Sequence, residues 1–136
     1  MDNLRSLILK HEGIKLKPYT DTTGNLTIGI GRNLEGRGIS EAEAFFLLEN
    51  DLKEIEEQLI KYYWFVALDK VRQEVIIELV FNVGLTRALG FKKMIEALKP
   101  LEYRKAADEL LDSAWTKQVG ERRSNSLYSR LLTGKY

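Results

Sequence analysis

Between about residues 13 and 31 the chain changes its hydrophobic period. That single change restricts it to one small β element within an otherwise helical protein. Before the change, Leu4, Leu7 and Ile8 lie at i, i+3 and i+4, so residues 3–11 read as a short amphipathic helix that runs out at Gly13 and leaves Glu12 at its C-terminal edge. Inside it, Leu16 to Tyr19 is extended and Asp21-Thr22-Thr23-Gly24-Asn25 is dense in turn formers. Leu26-Thr27-Ile28-Gly29-Ile30 then alternates as a strand does, which completes a β-hairpin. Gly36-Arg37-Gly38 reads as a loop. Ser40-Glu41-Ala42-Glu43 has the form of a capping box opening a long helix to about residue 61. Asp69 caps a further helix whose apolar positions Val71, Val75, Ile76, Leu79, Val80 and Val83 recur at helical spacing until Gly84. Shorter helices are expected over 91–98, 101–111 and 121–132. The fold class expected is α+β, mainly α.

Composition decides which chemistry such a fold can carry. There is no cysteine and one histidine, His11, so disulfide scaffolds, structural zinc sites, thiol nucleophiles and multi-histidine metal centres all fall away. A serine triad would have to run through His11, and no elbow motif surrounds any serine. Catalysis, if present, rests on carboxylates, hydroxyls and cations, and no metal or cofactor is expected. At 136 residues the chain is long enough to bury a real core as one domain with two lobes. No apolar run approaches the roughly 18–20 residues that span a bilayer, so no stable membrane insertion is expected. The first residues have neither the basic start nor the apolar stretch of a secretory signal.

The net charge of +1 conceals an asymmetry. Residues 1–68 carry 8 Lys/Arg against 11 Asp/Glu, and residues 69–136 carry 13 against 9. The C-terminal half can thus face a polyanion, or its cations can simply be solvated helix faces.

The chemistry-bearing constellation lies between Glu12 and Asn33. Carboxylates nine residues apart, Glu12 and Asp21, can face one substrate only if the chain doubles back between them, and the hairpin does this. Two carboxyl groups flanking a bond, one protonated and one ionised, are the minimal equipment for glycoside hydrolysis. The negative end of the helix dipole disfavours a charged carboxylate at position 12, as a proton donor requires, whereas a polar turn keeps Asp21 ionised. Taken alone this is weak. A Glu-Gly pair at a helix end is most often a solvated residue before a cap, and Asp at a turn start usually serves the turn.

The run His11-Glu12-Gly13-Ile14-Lys15-Leu16-Lys17-Pro18-Tyr19, followed by Asp21-Thr22-Thr23-Gly24-Asn25-Leu26-Thr27-Ile28-Gly29-Ile30-Gly31, resembles the active-site segment of the phage-type (T4-like) lysozymes, a glycoside hydrolase family of endolysins. That family has E-G at a helix end, a D-x-x-G turn and T-I-G-x-G on the returning strand. The resemblance implies a lysozyme-like fold in a single domain, 1–136. Its β-hairpin lobe would cover about 12–57, and a helical lobe of about 58–136 would pack with helix 1–11. It implies Glu12 as the general acid, Asp21 as the carboxylate that positions water or stabilises the oxocarbenium ion, and Thr27 as the threonine that helps hold the water. Gly31 and Arg32 would support the site.

The likeness continues more loosely. Phe81-Asn82-Val83-Gly84 with Gly90-Phe91 places Asn82 near substrate, and Ser113-Ala114-Trp115 with Gln118 places Arg122 close to Glu12; a plain surface role for Arg122 stays open. The activity implied is hydrolysis of the β-1,4 bond between N-acetylmuramic acid and N-acetylglucosamine in bacterial peptidoglycan, with inversion. It would be carried out by a monomer made in the host cytoplasm and admitted to the wall by a holin.

Two departures stand out. Arg32 occupies the place of a histidine in the family's best-known member, and Asp51 falls where that histidine's acidic partner lies; an Arg32–Asp51 pair is one reading, and contact of Arg32 with solvent or substrate the other. The stretch from Gly31 to Ser40 is short, so the β element should be reduced to little more than one hairpin. Trp115, Phe81 and Phe91 read as core, and the aromatic run Tyr62-Tyr63-Trp64-Phe65 as packing at the lobe junction. Gly29-x-Gly31 is no dinucleotide fingerprint, lacking the third glycine and the following helix. Two other functions compete: a non-catalytic peptidoglycan-binding module of the same fold, and a nucleic-acid binder using the basic half. Intact catalytic residues favour neither, so no nucleic-acid partner is expected.

Overall fold

The computed structural model describes all 136 residues. Helix α1 (Asp2–Glu12) ends at Gly13, whose positive φ of 70° and N–H bond to the Leu9 carbonyl stop the helix where the sequence does. Strands β1 (Lys15–Thr20) and β2 (Leu26–Gly29) form the hairpin, with Tyr19 opposite Thr27 and Thr20 opposite Leu26. The two-residue strand β3 (Arg32–Asn33) pairs with β2 through Thr27–Asn33 and Ile28–Arg32. The sheet is therefore antiparallel, in the order β1-β2-β3, and amounts to the hairpin with one short addition. Helix α2 (Glu41–Leu59) follows. Its capping box is real: Glu43 N–H donates to Ser40 Oγ at 3.1 Å, and Ser40 N–H donates to Glu43 Oε1 at 2.9 Å.

The remaining helices are α3 (Tyr63–Val66), α4 (Lys70–Val83), α5 (Leu85–Leu89), α6 (Lys92–Leu98), α7 (Tyr103–Leu111), α8 (Trp115–Val119) and α9 (Glu121–Thr133). The chain divides into two compact units, Met1–Leu47 and Leu48–Tyr136, so the dividing point falls inside α2 and α1 is grouped with the sheet. The fold is mainly α, α+β, as the sequence predicts.

The core lies in the second unit. Val75, Ile76, Leu79 and Val80 of α4 are buried, as their spacing predicts, together with Met94 and Leu98 of α6, Leu110 of α7, and Leu127 and Leu131 of α9. Removing each such side chain from water contributes about 1.5–3 kcal/mol. Ala106 and Ala107 are also fully buried, and these small residues let α7 lie close against α6 and α9. Trp115, at 1% exposure, is core as expected; of the aromatic run, Trp64 and Phe65 are buried in the same cluster, whereas Tyr63 is exposed. Phe91 is half-buried against the same cluster. Phe81 is a correction: it lies outside the face of α4 that the buried Val75, Ile76, Leu79 and Val80 share, and is 49% exposed.

One buried cation ties three helices together. Arg72 of α4 donates from Nε to the Leu131 carbonyl at 2.7 Å and from Nη2 to that of Leu132 at 2.8 Å. It also bonds Asp69 Oδ1 at 2.9 Å and lies 3.4 Å from the centre of the Tyr103 ring. It thus satisfies carbonyls at the end of α9 that no intrahelical partner can reach, while Asp69 caps α4 through the Arg72 N–H at 3.3 Å. No helix is long and apolar enough to cross a membrane.

Candidate active site

The first unit holds the motif residues together. Glu12 is the last residue of α1, so its carboxyl group projects from a helix end. Gly31 lies directly beside it. A Cβ added at Gly31 would come within 3.0 Å of Glu12 Oε2 and 3.1 Å of its Cδ, and the backbone there has φ of 73°. Only a glycine combines that conformation with that approach. No side chain of the first unit bonds the Glu12 carboxyl, so the backbone at Gly31 is the surface against which it rests.

Asp21 is held quite differently. Its Oδ1 accepts from Thr23 N–H at 2.9 Å, Thr23 Oγ1 at 2.8 Å and Asn25 N–H at 2.9 Å. These bonds, that from the Asn25 amide foremost, hold its carboxyl below the usual aspartate value. All three fall on Oδ1, which leaves Oδ2 free of side-chain and backbone donors. The Asp21 N–H bonds the Asn25 carbonyl at 2.9 Å, closing the turn, so the same residues that build the turn also fix the charge.

Thr27 sits on β2 opposite Tyr19 and is nearly buried at 3% exposure. Its hydroxyl donates to the Asn25 carbonyl at 2.9 Å, which commits the proton and leaves oxygen lone pairs to accept. Asn25 thus joins the two residues, its amide serving Asp21 and its carbonyl serving Thr27.

Arg32 does not pair with Asp51. Its Nη2 meets Glu43 Oε2 at 2.9 Å, and its Nη1 donates to Glu43 Oε1 at 2.9 Å and to the Gly38 carbonyl at 3.1 Å. The short 34–40 connection folds the start of α2 back onto β3, and the capping box has already aimed the Glu43 carboxylate toward that connection. The Arg32 fork and the Ser40 amide together pull the Glu43 carboxyl down to about 2. A signal was present in the sequence, since Glu43 was legible as the capping acid, but nothing there showed that its second oxygen was open to a guanidinium.

The two supporting residues expected from the later chain belong to the second unit. Asn82, exposed at the end of α4, accepts from the Trp115 indole Nε1 at 2.8 Å, which gives it a structural bond of its own. Arg122 is exposed in the first turn of α9 and makes no ion pair. Gln118 is bonded by Arg87. A cavity of about 660 Å³ in this unit is lined by Leu48, Leu52, Ile77, Phe81 and the Glu78–Arg130 pair, and holds none of Glu12, Asp21 or Thr27. Its acid Glu78 is already engaged by Arg130 at 2.7 Å, so the chemistry points to the first unit. No group of three or more His, Asp or Glu residues is placed to hold a metal ion.

Glu12 beside the Gly31 backbone, Asp21 bonded within its turn and Thr27 on the strand that follows thus lie in one unit. A profile of the phage lysozyme family matches residues 9–131. The chain belongs to the phage lysozyme family. It is 29% identical to "Probable T4-type lysozyme 1" of Dictyostelium discoideum, across 98% of this chain and 96% of that protein. An endolysin of Acyrthosiphon pisum secondary endosymbiont phage 1 is 30% identical, across 85% of this chain and 80% of that protein. A SAR-endolysin of Escherichia phage Mu is 27% identical, across 87% and 68%. Membership in the phage lysozyme family makes this chain a lysozyme-type hydrolase, and the match spans both units.

Proposed function

We propose that this chain is a muramidase that hydrolyses the β-1,4 bond between N-acetylmuramic acid and N-acetylglucosamine of bacterial peptidoglycan, with Glu12 as general acid and Asp21 as the water-directing carboxylate. The observation that carries the reading is the contrast between the two carboxyl groups. Asp21 is locked in its charged form by three donors on one oxygen, whereas Glu12 has no bonding side chain in its unit and rests on Gly31. A pair so differentiated can divide acid and base work.

In the proposed reaction Glu12 gives its proton to the glycosidic oxygen as the C–O bond breaks. Water attacks the anomeric carbon, with Asp21 Oδ2 accepting a water proton and Thr27 Oγ1 accepting the other hydrogen bond. Charge at the ring is balanced by the Asp21 carboxylate. Attack from the face opposite the leaving group inverts the anomeric centre. Gly31 serves as the seat of Glu12, and Asn82 and Arg122 are proposed as substrate-supporting residues of the helical unit. The place of action is the cell wall, and the working unit is a monomer.

The test is clearing of permeabilised bacterial walls by the protein beside a Glu12→Gln variant of equal helix content. The parent should clear the suspension and the variant should be slower by about 10²-fold or more, since general acid catalysis contributes that much. Equal clearing by both would remove Glu12 from the reaction. Sedimentation of both proteins with the walls and no clearing by either would make the chain a binding module.

A further inference from the structure

We propose that Glu43 and Arg32 are positioning residues for the proton donor: by pinning β3 to the first turn of α2 they fix the Gly31 backbone on which Glu12 rests. The inference rests on the reading of Glu12 as the acid.

Ile30 and Gly31 link β2 to β3, and Gly31 and the strand's last residue, Gly29, have positive φ, 73° and 71°. Such a link is intrinsically free to move, because glycine backbone meets little steric resistance. What holds its downstream end is Arg32, the next residue. The Arg32 guanidinium donates from Nη1 to Glu43 and to the Gly38 carbonyl, and its Nη2 pairs with the other Glu43 oxygen, so few donors are left to present to a substrate. The Glu43 carboxylate is equally committed, since Oε1 also takes the Ser40 amide at 2.9 Å. β3, the 38–40 segment and the N-terminus of α2 therefore share one knot of charge-assisted bonds.

An isolated surface pair would contribute little. This one differs in being two-pronged, in leaving Arg32 only 24% exposed, and in being continuous with a helix cap. Glu12, by contrast, has no side-chain tether within its unit. Its carboxyl is located by α1 on one side and by Gly31 on the other, at 3.0 Å from the site of the absent Cβ. Freedom at Gly31 therefore becomes freedom of the acid. A displacement of about 1 Å in a reacting group can cost about 10²-fold in rate, so the brace acts on kcat rather than on binding.

The experiment compares steady-state hydrolysis of soluble peptidoglycan fragments by the parent, Glu43→Gln, Arg32→Lys, the double variant Arg32→Gln/Glu43→Gln, and Glu12→Gln. All are measured at a temperature where circular dichroism shows each folded. Glu43→Gln should lower kcat about 10-fold with KM within about 2-fold, a partial loss of positioning. Arg32→Lys should behave alike, because an ammonium cannot make the fork. The double variant should be little worse than the poorer single, since both act through one knot. The Gly31 amide resonance should shift in each folded brace variant.

Unchanged kcat in Glu43→Gln, with only a lower melting temperature, would overturn the proposal and leave the pair purely structural. Additive losses in the double variant would overturn it as well. If Glu12→Gln matches the parent, the identity of the acid is what fails. If Glu12→Gln is inactive and Glu43→Gln keeps full kcat, only the positioning claim fails.

Discussion

The residue with the least tolerance in the site is Gly31. Alanine there meets both a positive φ and the Glu12 carboxyl at 3.0 Å, so Gly31→Ala should lower the rate of glycan hydrolysis by about 10²-fold while circular dichroism shows the helices intact. A variant that folds and keeps full rate would mean that the Gly31 backbone does not seat the acid. Asp21 offers a second test. Its depressed pKa comes from the Asn25 amide first and the Thr23 hydroxyl next, so Thr23→Ala should raise it toward the ordinary 3.8 in a carbon-13 carboxyl titration. At this scale the placement of Glu12 at a helix end, Asp21 in the hairpin turn and Thr27 on the returning strand was legible, because the change of period marks the hairpin. The partner of Arg32 was not. Asp51 and Glu43 both carry the required charge, and the choice was made by the fold of the 34–40 connection, which has no periodic signature.

Elements succeed or fail by their ends. Replacing Arg72 with Met would strand the Leu131 and Leu132 carbonyls and Asp69, and should lower stability by about 3 kcal/mol in urea unfolding, while hydrolysis at low temperature persists. Gly134→Ala tests the same joint from the other side, since its Cβ would fall 2.8 Å from Arg72 Nη1 at a φ of 69°. It should cost about 1–2 kcal/mol. The α2 cap adds a pH dependence. Glu43 has a folded value of about 2 against an ordinary 4.5, so its contribution to stability is fully present above 4.5 and is lost as pH falls toward about 2. Unfolding measured across that window should show a steeper acid loss for the parent than for Glu43→Gln, and parallel curves would contradict the assignment. Helices bounded by caps, such as α2 and α4, were readable from Ser40, Glu43, Asp69 and Gly84. Helices α3, α5 and α8 were not, because four or five residues give too little of a helical period to register. Phe81 was misplaced for a related reason: an apolar residue within a helix is core only if it falls within the stripe that meets the neighbouring helices, here that of Val75, Ile76, Leu79 and Val80.

For the whole molecule, charge and chemistry part company. A net charge of +1 offers little long-range attraction to an anionic wall, so clearing rates should change less than about threefold between about 50 and 200 mM monovalent salt. A steep fall over that range would show that the cations of residues 69–136 act as a concerted capture surface. Composition had already confined the chemistry to carboxylates, hydroxyls and cations. The order of elements was legible at this scale, because each change of period or cap marks a boundary along one chain. The central claim, that this chain cuts glycan at N-acetylmuramic acid using Glu12 and Asp21, is tested most directly by the new chain ends it makes. Purified peptidoglycan digested by the protein and reduced with borohydride should yield fragments ending in reduced N-acetylmuramic acid, and Glu12→Gln should yield almost none. Ends at reduced N-acetylglucosamine, 1,6-anhydro ends, or freed amino groups without new reducing sugars would each contradict it.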